Sequence, residues 1–267
     1  MAAAPSTRAG TLDDEPSLSI VIPAYNEHSR VDECLRTVLA FAEARSSSTE
    51  VLLVDDGSSD DTLERSRLFA KEFNRLRVLA EPHRGKAAAV RAGMLAATGE
   101  IVLFMDADLA TPLSYTDLLV SRIRAGADVA IASREGVGAK RVGEPLHRHL
   151  MGRAFNLLVQ VLLLPGIQDT QCGFKAFRRD AARDILERTR LYRDPNLAHG
   201  ARVTAFDVEL LYIARLLGQS IEVVPVVWSA GTHSKVNPIH DTWVNLTDVI
   251  KIRVNGWRRL YQVPAPP

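Results

Sequence analysis

Two cysteines, Cys34 and Cys172, in 267 residues are too few for a disulfide framework or a cysteine-built metal cluster. They suit a cytosolic setting, and nothing else in the chain requires a bridge between them. An excess of charge is also missing, since 33 Lys and Arg face 32 Asp and Glu. That balance argues against nucleic acid as a partner, which would need a concentrated basic face. No run of about 18 apolar residues occurs, the length that a membrane-spanning helix needs. The nearest stretch, Ala154 to Ile167, is short and contains Asn156 and Gln160. The opening MAAAPSTRAGTLDDEP lacks the apolar core of a secretory signal and reads as a flexible lead-in over 1–16. Any membrane contact is therefore expected to be peripheral and cytoplasmic. Three further absences narrow the chemistry: no HExxH zinc pattern, no Walker A glycine spacing and no Gly-x-Ser-x-Gly elbow.

What is present is a rhythm. Leu18 to Ile22, Glu50 to Val54, Leu76 to Ala80, Ile101 to Met105 and Asp128 to Ala132 are short apolar runs suited to buried strands. Between them Val31–Ala44, Asp60–Phe73, Ala87–Ala97 and Leu113–Arg124 carry helical spacing. Such alternation predicts βαβ units: an α/β fold with a central, mostly parallel sheet and helices on both faces. The second half is less regular. Helices are expected at Leu146–Leu164, Ala181–Glu187, Asp207–Leu217 and Thr242–Leu260. A short strand is expected over Gly173–Phe177, and an edge or bulged strand over Ile221–Trp228, because Pro225 interrupts it.

In a parallel sheet, ligands bind beyond the carboxyl ends of the strands. Three polar clusters fall there: Pro23 to Glu27, Asp55 to Ser58, and Asp106 to Asp108. Asp106 and Asp108 flank Ala107 on one short turn, a pairing suited to Mg²⁺ or Mn²⁺. Alone, Asp-x-Asp is a weak signal that equally describes a solvated loop end. Asp56 can accept from a nucleobase or ribose, with Asp60 left to cap the next helix. His83-Arg84-Gly85-Lys86 opens an alanine-rich helix and can face an anion. Gly173 suggests close approach of backbone to another group. Asp207 and Glu209, two apart, cannot share a helix face.

Together these clusters resemble the GT-A glycosyltransferases of family 2, specifically the polyprenyl-phosphate and dolichyl-phosphate sugar synthases. IVIPAYNE and VDDGSSDDT are general family 2 features. EPHRGKAAAVRAGM, FMDADLATP, DTQCGFKAF and FDVELLYIA are similar to the lipid-phosphate branch. WSAGTHSKV with DTWVNLTDVIKIR looks most like the dolichyl-phosphate glucosyltransferase subgroup. The resemblance runs from about Leu18 to Leu260. It implies a GT-A (Rossmann-like) domain over 17–261, with a nucleotide-binding half at 17–133 and an elaborated acceptor-binding half at 134–261.

Carried over position by position, the resemblance implies that Pro23, Tyr25, Glu27 and Asp56 line the nucleotide pocket. Lys86, Asp106 and Ala107 lie at the donor, and Asp108 is the leading metal ligand, with Asp106 and Gln171 beside it. Arg134 and Arg141 are implied contacts of an acceptor phosphate, Asp207 and Glu209 approach the sugar and acceptor, and Ser234 and Lys235 belong to a loop closing on the diphosphate. The implied reaction is inverting transfer of a hexose from a nucleotide-sugar donor, UDP-glucose first and GDP-mannose second, to a lipid-linked phosphate. A divalent cation supports it, and Asp108, Asp207 and Arg134 are the catalytic candidates.

Relatives of this type commonly carry membrane helices that the chain does not show. Leu146–Leu164, with His147, Arg148 and Arg153, is thus expected to dock on a membrane or else to serve as a core or dimer-forming helix, which leaves a homo-oligomer open. A soluble acceptor, a nucleotidyl transferase and a non-catalytic nucleotide-sugar-binding subunit are the other readings. The intact series Asp56, Lys86, Asp106 and Asp108 weighs against the last.

Overall fold

A computed structural model describes residues 16–45, 48–191, 193, 204–230 and 238–263. Seven strands form one sheet in the order β3-β2-β1-β4-β7-β5-β8. They are β1 (Leu18–Ala24), β2 (Thr49–Asp56), β3 (Leu76–Glu81), β4 (Ile101–Met105), β5 (Val129–Ser133), β7 (Phe174–Arg178) and β8 (Ile221–Pro225). The remaining strands, β6 (Lys140–Val142) and β9 (Val227–Ser229), pair in parallel as a small second sheet.

β1 to β4 run parallel to one another, as the βαβ rhythm predicts. β7 is not. It enters from the second half of the chain and runs antiparallel to both β4 and β5. Its start therefore lies at the carboxyl end of β4, where Met105 pairs with Phe174. The expected strand over 221–228 is split by its proline, with β8 forming the sheet edge and β9 leaving to join β6. Pro225 ends a strand at the edge, where a missing N–H costs least.

Helices cover both faces, which explains why the central strands are continuously apolar rather than alternating. In β2 every residue is buried. Leu18, Ile20, Ile22, Val51, Leu53, Leu103 and Met105 pack with α1 (Val31–Ala44) and α4 (Tyr115–Arg124). Val21, Leu52, Val54, Val102 and Phe104 face the other way, toward α3 (Lys86–Ala96), α6 (Arg179–Arg188) and α7 (Phe206–Leu216). α2 (Thr62–Glu72) lies beside β3, and α5 (Leu146–Leu162) packs with α8 (Pro238–Trp257). α3 is built from alanine and glycine because it sits hard on the sheet. A Cβ on Gly93 would come within 2.3 Å of Val21 Cγ1 and 2.8 Å of Val54 Cγ2.

Candidate active site

The carboxyl ends of β1, β2, β3 and β4, the start of β7 and the first turns of α3 and α7 meet along one edge of the sheet. At β4, Met105 is followed by Asp106, whose N–H donates to the Gly173 carbonyl at 3.1 Å. The Asp106 carboxylate lies so close over Gly173 that a Cβ there would be 2.0 Å from Oδ2. The close approach expected at Gly173 is thus made to an acidic side chain. Asp106 is ion-paired with Lys86 at the start of α3. Burial works against the Lys86 ammonium, but the charges of Asp106, Asp207 and Asp108 hold its pKa above the usual lysine range.

Asp108 stands at the exposed rim of the same turn and accepts the Ala110 N–H at 3.0 Å. Its pKa is raised, first by desolvation and then by the charge of Asp106. Leu109, the next residue, is held at φ 54°, a conformation that costs a branched residue of order 1 kcal/mol. An acidic pair on a strained turn, with one carboxylate left in excess of its cation, fits a divalent ion as the missing countercharge. Among the described residues no group of three or more His, Cys, Asp or Glu assembles a complete metal site. The two carboxylates would leave most positions to substrate oxygens and water, the habit of Mg²⁺ and Mn²⁺.

The carboxyl end of β2 is organised by Asp56. It is 2% exposed, and its carboxylate accepts N–H groups from Arg84 (2.9 Å) and Gly85 (2.9 Å) and meets His83 Nδ1 at 2.8 Å. Gly57, at φ +66°, lets the His83 backbone approach where a Cβ would sit 2.7 Å from its nitrogen. His83 also stacks on Tyr25, with centroids 3.9 Å apart and planes within 5°. A nucleobase N–H reaching Asp56 has to share it with this loop. Glu27 is ion-paired with Arg30 at 2.7 Å, and its own N–H donates to Thr62 Oγ1. Asp60, the expected cap, accepts the Thr62 N–H at 3.0 Å.

Asp207 and Glu209 point to different places, as their spacing requires. Asp207 accepts from the fully buried Lys175 Nζ at 2.5 Å. Lys175 also donates to the Cys172 carbonyl and lies over the Phe104 ring. Glu209 is 1% exposed and accepts N–H groups of Arg190 and Leu191 and the Tyr261 hydroxyl. Burial pushes its pKa up to about 7. Its carboxylate is thus occupied in closing the turn after α6.

Arg134 and Arg141, expected at an acceptor phosphate, are both engaged with acidic residues. Arg134 makes a two-pronged pair with the 0% exposed Asp169, Nε to Oδ2 and Nη2 to Oδ1, each 2.8 Å. The pair raises the arginine pKa despite burial and, against the opposing effect of burial, holds the aspartate well below the carboxylate range. Arg134 also lies over Trp228. Arg141 bridges Glu144 (2.8 Å) and Glu135 (3.0 Å). Gln171 is half-buried and donates its N–H to Asp169 at 3.3 Å. Pro23 is the next-to-last residue of β1, paired with Val54, and Ala107 is buried between the two aspartates. Ser234 and Lys235 lie outside the described residues. Sequence reasoning missed Asp169, Lys175 and the Tyr25–His83 stack. A buried arginine after β5 called for a counter-ion, which was the available clue to Asp169.

Strand-end carboxylates, a lysine at a helix start and a mixed sheet with one reversed strand define a nucleotide-sugar transferase of the GT-A fold. The chain belongs to glycosyl transferase family 2, whose model matches residues 19–186. It is similar to the dolichyl-phosphate beta-glucosyltransferase of Drosophila melanogaster, 35% identical over 270 residues that cover 93% of this chain and 79% of that protein. The Homo sapiens dolichyl-phosphate beta-glucosyltransferase is 32% identical, with 92% of this chain and 79% of the relative covered. The fold is shared with glucosyl-3-phosphoglycerate synthase from Mycobacterium tuberculosis, solved with Mn²⁺, UDP-glucose and phosphoglyceric acid. That likeness has a TM-score of 0.63 at 19% identity, over 90% of this chain and 80% of the other.

Proposed function

We propose that this glycosyltransferase moves glucose from UDP-glucose to a dolichyl or other polyprenyl phosphate, with inversion at the anomeric carbon. The observation that carries the reading is the meeting of Asp106, Asp108, Lys86 and Asp207 at one sheet edge, in a chain whose relatives bear the glucosyltransferase name. Tyr25, His83 and Asp56 give the nucleoside a stacking face and an acceptor, with Pro23 and Glu27 beside them. Lys86 holds Asp106 toward the diphosphate side. Asp108 and Asp106, with Gln171 as the further candidate, would hold a Mg²⁺ or Mn²⁺, which would supply positive charge toward the leaving nucleoside diphosphate.

A phosphate monoester acceptor is already largely ionised at neutral pH. It needs orientation more than a strong base, and the fixed Lys175–Asp207 pair supports assigning that role to Asp207. Asp207 and Arg134 act here as positioning groups, the latter by bracing the β5 end against Asp169. A second reading, a small soluble phosphate acceptor, is favoured by the shared fold with the phosphoglycerate-glucosylating synthase.

The test is a matrix of purified protein with Mg²⁺ or Mn²⁺, UDP-glucose or GDP-mannose, and a short polyprenyl phosphate or 3-phosphoglycerate, with products read by mass. A glucosyl lipid formed only from UDP-glucose is the expected result. Asp108→Asn should lower its formation by at least about 100-fold. Glucosyl transfer to 3-phosphoglycerate alone would move the assignment to soluble acceptors, and unchanged turnover in Asp108→Asn would remove the metal role.

A further inference from the structure

A lysine lies where the fold calls for an apolar residue. Lys175 is the second residue of β7, paired with Phe104 of β4 and Ile131 of β5, and it is 0% exposed. Its strand neighbours Phe174, Ala176 and Phe177 are apolar and also buried. Beneath the ammonium is the Phe104 ring, itself packed by Phe177 and Phe206. Taking an ammonium out of water is expensive, and a buried ion pair rarely adds stability that apolar side chains of similar volume would not supply. Packing alone therefore does not account for this charge. Its hydrogen bonds do.

Among the described residues the Lys175 ammonium donates to two oxygens, the Cys172 carbonyl and Asp207 Oδ1, each at 2.5 Å. The two differ in how firmly they are held. Cys172 precedes Gly173, whose carbonyl accepts the Asp106 N–H at 3.1 Å, and Phe174, which pairs with Met105 in the β4–β7 ladder. Backbone bonds fix that turn without the lysine. Asp207 lies 32 positions further on, in the first turn of α7, and Lys175 is the ion-pair partner of its carboxylate. One ammonium thus braces a side chain of α7 against the turn that carries Asp106. Asp207 is also close enough to Lys86 for its charge to raise that lysine's pKa, so the braced carboxylate belongs to the cleft.

We propose that Lys175 is a positioning residue for the transfer: it holds the Asp207 carboxylate at a fixed distance from the Asp106 turn, and the buried charge serves that spacing rather than stability. The inference rests on the proposed roles of Asp106 at the donor and Asp207 at the acceptor. Without the ammonium, Asp207 keeps its backbone position in α7 but loses what fixes its side chain. A misplacement of about 1 Å in such a group is enough to lower turnover by about 100-fold. The groups assigned to the nucleotide sit on β1, β2 and the loop before α3, which Lys175 does not bond.

The test is a double-mutant cycle of Lys175→Met and Asp207→Asn in the full chain, assayed well below the melting temperatures with Mn²⁺, UDP-glucose and whichever acceptor the wild type glucosylates. Each single variant should lower kcat by about 100-fold and leave KM and Kd for UDP-glucose as in the wild type. K175M/D207N should turn over within about threefold of D207N, because residues that act as a unit are lost together. A merely structural lysine would instead give losses that multiply, to about 10⁴-fold. That result overturns the proposal, as does a wild-type kcat in K175M. Two readouts need no turnover. The double variant should melt within about 4 °C of the wild type; a larger fall would assign the pair to stability and overturn the proposal. A crystal structure of K175M should show the Asp207 carboxylate turned away from the Cys172 carbonyl, and finding it unmoved is equally fatal. If the wild type glucosylates no acceptor, the proposed function fails while these two readouts still decide the role of Lys175.

Discussion

At Gly173 a single methyl group would occupy the space of the Asp106 carboxylate. The atoms in the way are the end of one side chain, so the fold can absorb the change by moving Asp106 off Lys86. Gly173→Ala is expected to leave thermal stability nearly unchanged and to lower kcat by about 100-fold, the scale on which a misplacement of about 1 Å acts. Steady-state kinetics beside a melting curve checks both halves of that statement. The Arg134–Asp169 pair predicts the opposite balance. Asp169→Asn leaves a buried guanidinium without its countercharge, which costs about 3–5 kcal/mol. Urea titration should show the loss at neutral pH. Because the pair lowers the aspartate pKa, its stabilisation is present above the unfolded carboxylate value and fades as pH falls through the folded one. The wild type should therefore lose part of its advantage over the variant in acid.

Among the elements, α3 is the most constrained by contact. Gly93→Val places three carbons against Val21 and Val54, both 0% exposed. Overpacking of this kind costs about 1–3 kcal/mol, and a lower urea midpoint with an unchanged m-value is the expected signature. The same close fit explains why α3 was legible in sequence only as a run of alanines. The strands β1, β2, β4 and β5 were plain because burial on both faces leaves unbroken apolar runs such as IVLFM. Lys140–Val142 carried no such mark, since its residues are exposed or half-buried. Strand direction is not written in composition at all, so the reversal of β7 emerges only with its register against β4 and β5. In the candidate site, the motifs led to the carboxyl edge of the sheet but not to the pairings among its residues. Arg134 could be read as a phosphate contact because Asp169, its partner, lies 35 positions away. Glu209 could be read as a substrate contact because nothing local shows that two backbone N–H groups and Tyr261 take up its oxygens.

Across the whole molecule, Glu209 links α7 to the turn after α6 and, through Tyr261, to the 3₁₀ turn at Leu260–Gln262. A carboxyl whose folded pKa is raised from 4.5 to about 7 holds more protons folded than unfolded between those values. Its contribution to stability therefore falls as pH rises through that window, by up to about 3 kcal/mol. Glu209→Gln should flatten the slope, which chemical unfolding at pH 4 and pH 8 (about two units either side of the middle of the window) would reveal. Less pH dependence in the wild type than in the variant would refute the assignment.

The reversed strand has a mechanical consequence. β7 is hydrogen-bonded on one side to β4, which carries the aspartates, and on the other to β5, which leads to Arg134. The strands that lead to Asp106 and to Arg134 are thereby stitched into one continuous plate, and opening it like a hinge would break a ladder on one side of β7 or the other. Substrate entry and product release must be accommodated at the rim, by the loops where strands end, while the plate beneath holds the reacting groups at a fixed spacing.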